Sequence, residues 1–336
     1  MNADIGAGVA GVVLLAVSAA WIVVLGRLGS GDSILAFEPR RRAPWGIGAV
    51  ILSFLLLVVG QAAAPNMFGP QGDEAPSVNQ TIDLLAALGI ATLAVTVVSA
   101  LAIGVAHGAK SHDLGLSLKH IGRDIVIGVV AFLILGPLAF AIQAFFVYQL
   151  GIESHHPLIE LVKADPTNEL FTMVTAVAVL VAPMSEEYFF RVLFQGWIEK
   201  HFLFGDPWQG SSDVGESDKV ANAWSADPNE SGEQRSPYHN FVPLSEATDE
   251  RPADEETEEP SGGFAPTFVP ILCSATLFAA MHWSHGPDAV ALFVLAVGLG
   301  YLYQRTHRWL PCVVTHLCLN GTTMVMLWTG MQQLAK

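Results

Sequence analysis

Eight stretches of the chain are apolar almost throughout, and polar residues gather in the connections between them. Crossing roughly 30 Å of hydrocarbon takes about 20 mostly apolar residues in a helix. Runs at 7–26, 45–64, 82–106 and 125–150 reach that length, and further apolar runs follow at 267–283, 289–303 and 310–329. One run, 170–198, is too long for a single straight crossing and is interrupted by Pro183. The pattern predicts an all-α polytopic membrane bundle of about eight transmembrane helices, with no internal repeat visible. No Lys or Arg precedes the first run, Asp4 does, and Arg27 follows it. A cleavable signal wants a basic start, so an uncleaved first span is expected.

Charge sharpens this picture because it is so unevenly spread. Of the formal net charge of −15, residues 206–262 carry 15 acids against the three bases Lys219, Arg235 and Arg251. The rest of the chain is nearly balanced, with about one residue in ten charged. The segment is rich in Pro, Ser, Gly, Asp and Glu and cannot bury enough apolar surface to offset the entropy of ordering. A long acidic, disordered loop is therefore expected over 203–264. No basic stripe is present to neutralise phosphates, which excludes nucleic acid as a partner. Cys273, Cys312 and Cys318 are odd in number and sit in apolar runs, so a disulfide scaffold is excluded too. Short connections alternate between basic (Arg40, Arg41, Arg42; Lys110, Lys119, Arg123; Arg305, Arg308) and base-poor. By the positive-inside rule the basic ones, and with them the acidic insert, are cytoplasmic.

Ionisable residues within spans cost about 2.5–3.5 kcal/mol each at the bilayer centre on insertion scales, so three groups stand out. In Ser185-Glu186-Glu187-Tyr188-Phe189-Phe190-Arg191, Glu187 and Arg191 are spaced i, i+4 and can pair on one face. Glu186 points about 100° away and is left without a helical partner. Phe278 and His282 form a second i, i+4 pair, and His316 and Asn320 a third. Each group has a plainer reading: an interfacial charge cluster with a snorkelling Arg, a packed histidine, and interhelical hydrogen bonding. Together they are harder to set aside, because every one needs a partner away from lipid. Other features carry less: Asp288 reads as the N-cap of the seventh span. His155-His156 reads as a solvated loop, His307 as part of a hydrated turn, and Gly298 and Gly300 as close helix packing. No P-loop, dinucleotide fingerprint or HExxH is present.

The ordered set EExxxR, FxxxH and HxxxN across late spans, with EEYFFRVLFQG and WLPCVVTHLCLNG around it, resembles the type II CAAX prenyl protease family. This is the wider group of CAAX proteases and bacteriocin-processing membrane peptidases. The similarity runs over about 172–327 without the acidic insert. It divides the chain into N-terminal spans without a motif (1–165) and a protease core (166–336) interrupted by the insert. The resemblance implies an intramembrane endopeptidase that needs no obligatory cofactor. Glu186 would be the general base, His282 would orient the water, and His316 and Asn320 would donate to the oxyanion. Glu187 and Arg191 would brace the helix. It implies a membrane-associated peptide or protein substrate, lipidated in parts of the family, and an integral protein of the plasma membrane. Two alternatives stay open. Glu186, His282 and His316 are also a donor set for catalytic zinc. The same buried groups would equally serve a non-catalytic binding or immunity protein, or a proton-coupled transporter.

One geometric conflict follows. In straight helices Glu186 lies about 24 Å from the outer end at Leu170, whereas His282 ends an outward-running span. Pro183 offers a remedy, and a helix break near residues 182–184 is expected.

Overall fold

The computed structural model describes residues 2–69, 76–203 and 264–334; the acidic segment, for which disorder is expected, lies outside them. The described residues contain no β-strand. They form α1 (Asn2–Ser30), α2 (Ile47–Phe68), α3 (Val78–His107), α4 (Ile121–Ala144), a short α5 (Pro157–Ala164) and a composite α6 (168–203). After the acidic segment come α7 (Phe264–Met281), α8 (Asp288–Thr306) and α9 (Trp309–Leu334). Among the described residues seven helices are long and apolar enough to cross a membrane, and the apolar part of α7, Thr267–Met281, is a shorter apolar helix. The chain is an integral membrane helix bundle, and outward-facing aliphatic side chains such as Val58, Leu101, Val105 and Val126 belong to its lipid face.

Local chemistry sets the helix ends. A reciprocal capping box starts α3, with Gln80 N–H donating to Ser77 Oγ and Ser77 N–H donating to Gln80 Oε1. Gly108, at φ 64°, ends it in the left-handed region. In the centre, α6 packs against α2, α3, α7 and α9, while α4 packs on α8 and α9. Phe189, Leu193, Phe278, Leu295 and Leu299 fill the core. Gly298 and Gly300 allow the close packing their pattern suggested. A Cβ at Gly298 would lie 2.5 Å from Leu135, and one at Gly300 would lie 2.9 Å from Ile271.

The expected break at Pro183 is absent. Instead α6 runs without interruption and absorbs the proline through π-helical turns at Val177–Val181 and Tyr188–Gln195. In the first, Ala182 N–H bonds to the carbonyl of Val177, one residue further back than in an α-helix. The next donor in that register would be residue 183, and proline has no N–H. The stranded carbonyl of Ala178 accepts from Asn320 Nδ2 at 2.8 Å instead. Just beyond, Tyr188 N–H bonds to Ser185, and the carbonyl of Met184 accepts from Trp309 Nε1 at 3.2 Å. Two side chains of α9 thus replace the backbone donors that the irregular turns withdraw.

The depth conflict dissolves when height is measured from the other end. The C-terminal end of α6 and the start of α7 pack together. From Leu203 back to Glu186 is about 26 Å of helix, and from Phe264 to His282 about 27 Å. The two residues meet because α7 is short and α6 is long, not because α6 breaks.

Candidate active site

Glu187 and Arg191 are completely buried and paired, Arg191 Nε donating to Glu187 Oε2 at 3.0 Å. Arg191 Nη1 donates to Ser274 Oγ at 2.8 Å, and that hydroxyl donates to the carbonyl of Phe190 at 2.9 Å. The Arg191 guanidinium also lies 5.4 Å from the centre of the Phe278 ring. The other oxygen of Glu187 accepts from His316 Nδ1 at 2.9 Å. Helix spacing fixed the first of these contacts, and the fold added α7 and α9 to it.

Glu186 differs from its neighbour in every respect. Its side chain is 25% exposed and makes no hydrogen bond among the described residues, yet two imidazoles face it. His282 Nε2 lies 3.9 Å from Oε1, and His316 Nε2 lies 3.7 Å from Oε2. Both distances exceed a hydrogen bond and leave room for a bridging water. The ring orientations are settled by the opposite nitrogens. His282 Nδ1 caps the end of α7 by donating to the carbonyl of Phe278 at 2.8 Å. A carbonyl can only accept, so in the neutral ring Nε2 carries the lone pair. Phe278 backs both rings, with centres 4.6 Å from His282 and 5.9 Å from His316. Asn320 holds Ala178, as described, and one amide hydrogen remains for a ligand. The structure therefore brings Glu186, Glu187, Arg191, His282 and His316 into one cluster, with Asn320 on the same cavity wall.

That cavity, of about 450 Å³, contains more polar groups than the motifs contribute. Asp288 does not cap α8: the N-cap is Pro287, and the Asp288 carboxylate accepts from Gln143 Nε2 at 2.7 Å and Ser154 Oγ at 2.6 Å. His156 is not a solvated loop residue. It lies in the cavity wall with its ring 4.8 Å from that of His285, whereas His155 is exposed beside Glu160. Burial lowers the pKa of His156. Burial, and then the nearby imidazoles of His156 and His282, push His285 down to about 4. A histidine pair in a polar connection carries no periodic signal, so neither ring was visible as a cavity residue.

For a metal, Glu186, His282 and His316 offer the right atom types, and both imidazoles have the Nδ1 partner that zinc-binding histidines use. Among the described residues, however, no group of three or more His, Cys, Asp or Glu is arranged to hold a metal ion.

The apolar helix bundle thus surrounds a buried carboxylate–imidazole centre with a cavity beside it. Residues 257–322 match the family described as type II CAAX prenyl endopeptidase Rce1-like, the family whose ordered motifs this chain resembles. The match covers about one-fifth of the chain. It contains FxxxH and HxxxN and leaves the EExxxR segment outside. Neither a curated protein nor a solved structure matches the chain. The match supports a membrane protease whose substrate is a membrane-associated peptide.

Proposed function

We propose that the chain is an intramembrane endopeptidase in which Glu186 activates water for attack on a peptide bond. The observation that carries this is the gap between Glu186 and His282: two acceptors face each other across 3.9 Å. A water between them donates one hydrogen to each, which turns its oxygen lone pair towards the cavity. Glu186 takes the proton as the oxygen attacks and returns it to the leaving amine. Asn320, and His316 when its ring carries a second proton, donate to the developing oxyanion. Glu187 and Arg191 act through His316 and are positioning residues.

This reading keeps residues 166–336 as the catalytic core and 1–165 as supporting spans. It puts the face bearing Arg40, Arg41 and Arg308, together with the acidic segment, in the cytoplasm. On that orientation the cavity lies in the outer half of the plasma membrane. Substrates include lipidated peptides only if the cavity admits the lipid.

Comparative proteomics of membranes with wild-type protein or Glu186→Gln tests the proposal. Uncleaved membrane peptides are expected to accumulate in the variant, and the purified wild type is expected to cleave them in detergent. A proton-coupled carrier or an immunity protein would lose function in the same variant and release no peptide. The bonded Nδ1 atoms speak for a second reading, a zinc protease on Glu186, His282 and His316, and the lack of a metal-holding arrangement among the described residues speaks against it. Stoichiometric zinc, and loss of cleavage on exhaustive chelation, would replace the metal-free mechanism with that one.

A further inference from the structure

The lipid face of α2 contains one side chain that does not belong there. Val58 and Val59 are 58% and 63% exposed, as lipid-facing residues should be, yet the next turn places Gln61 on the surface as well. Among the described residues Gln61 makes no hydrogen bond. The other polar residues of α2 are matched: Ser53 accepts from Ser99, and Asn66 donates to the carbonyl of Ala62. An amide left bare in hydrocarbon costs several kcal/mol, on the order of a lost pair of hydrogen bonds. Gln61 is also a wall residue of the catalytic cavity. Its height matches: Lys200 on α6 bonds to the carbonyl of Trp45. From that tie Gln61 is about 24 Å up α2, and Glu186 about 21 Å up α6.

The same cavity wall includes Ala139, Phe140 and Gln143 of α4. The main partner of α2 is α3, with α6 beside it, whereas α4 packs mainly on α8 and α9, so α2 and α4 are held by different neighbours. We propose that the cavity opens to the lipid between α2 and α4, and that Gln61 is a specificity-determining residue there. Its amide pairs with the main chain of an unwound segment of a membrane-embedded substrate.

The chemistry selects an extended segment. Along one edge a glutamine amide presents an N–H and a C=O, the complement of the N–H and C=O that one residue of an extended chain turns to the same side. In a helix those groups are already satisfied, and only an unwound chain presents them. One turn of helix, about 10–12 Å across and 5.4 Å high, would by itself fill a cavity of about 450 Å³. An extended chain leaves space for water at Glu186. The small side chains of Ala139, Ala178 and Ala182 widen the passage without offering polar groups of their own.

This inference rests on the protease reading, and two measurements separate them. The first tests the opening without catalysis. Cys273, Cys312 and Cys318 are replaced, Ala182→Cys is introduced, and the protein is reconstituted in phosphatidylcholine with a maleimide on the acyl chain. Rapid labelling is expected, slowed at least about 10-fold by Gln61→Trp, with unchanged unfolding temperature showing that both variants fold. No labelling would overturn the lateral opening whatever the enzyme does. The second uses a membrane peptide that accumulates in Glu186→Gln cells. Gln61→Leu is expected to raise KM about 10-fold, the scale of two hydrogen bonds, with kcat within twofold and partial rescue by Gln61→Asn. An unchanged KM would overturn the pairing of Gln61 with the substrate main chain. If no peptide accumulates, the protease reading falls and the role of Gln61 falls with it, while the labelling result stands.

Discussion

Two buried polar clusters hold this bundle together, and each is built on a carboxylate clamped between an arginine and a histidine. On the basic face, Glu199 accepts from Gln195 Nε2 at 2.9 Å and from Arg40 Nη2 at 3.2 Å, with His307 Nε2 3.4 Å away. Arg40 also donates to Tyr303 at 2.6 Å, and Arg308 joins Glu38 to Asp124. In the cavity, Glu187 has the same two kinds of partner, Arg191 and His316. The difference is the next residue. Glu199 is 1% exposed, and the one carboxylate of its cluster seen to reach a cavity, Glu38, is tied down by Arg123 at 2.7 Å and Arg308 at 2.9 Å. Beside Glu187 stands Glu186, one-quarter exposed and unbonded. A closed network holds helices together, and an open carboxylate next to such a network is placed for chemistry.

Removing the brace of either network should therefore unfold the protein before it changes the reaction. Arg191→Met leaves Glu187 buried with only His316 against it, and the loss expected is about 3–5 kcal/mol. Arg40→Met should cost a comparable amount on the basic face. Chemical unfolding in detergent measures both. Near-wild-type stability in Arg191→Met would show that the cavity cluster is not a brace, and the likeness between the two regions would end.

The second prediction separates the regions. Glu186→Gln and His282→Ala should each reduce cleavage by at least about 10²-fold. Stability should stay within about 1 kcal/mol of wild type in Glu186→Gln, because Glu186 makes no bond to lose, whereas His282→Ala also loses the bond to the Phe278 carbonyl. The matching change on the basic face, Glu199→Gln, should do the reverse and lower stability with little effect on the turnover of the folded fraction. Near-wild-type cleavage by either cavity variant would end the assignment of Glu186 as the base.

Much of this contrast could be read from the chain, and some could not, for identifiable reasons. The Glu187–Arg191 pair follows from i, i+4 spacing, and scarcity of charge in the spans made Glu186, His282 and His316 conspicuous. The basic-face cluster was hidden because Arg40 and His307 lie in connections that look hydrated. His307 is in fact 4% exposed and turns at φ 48°, with Nδ1 donating to the carbonyl of Glu38. Pro183 suggested a break because helical register is a local rule. The π turns that absorb it depend on Asn320 and Trp309, more than 120 residues away. Gln61 left no trace, since a single neutral amide barely alters the hydropathy of a span.

A smaller effect is expected at Asn320, where the two roles meet. A committed oxyanion donor is worth about 10²–10³-fold in kcat. The amide of Asn320 is shared, one hydrogen being held by the carbonyl of Ala178. Asn320→Ala should cost roughly tenfold in kcat with KM little changed, plus on the order of 1 kcal/mol of stability for the stranded carbonyl. A rise in KM alone would move Asn320 from the reaction to substrate binding.

The smallest effect concerns the cavity mouth and follows from the sign of one shift. His285 titrates at about 4 in the folded protein against 6.5 in the unfolded chain. Between those values the unfolded state binds the extra proton, so stability is complete above about 6.5, falls as the pH drops, and levels off below about 4. Solvent at the mouth screens the charge, so the loss is on the order of 1 kcal/mol, below the full value of the shift. Thermal unfolding in detergent between pH 4 and 7 should reveal this slope, and His285→Phe, which keeps a ring against His156, should reduce it. The basic face adds a slope of the same sign through His307, whose pKa burial and Arg40 lower. The part of the slope that survives His285→Phe therefore measures how far the closed network, rather than the cavity, sets the acid limit of the fold.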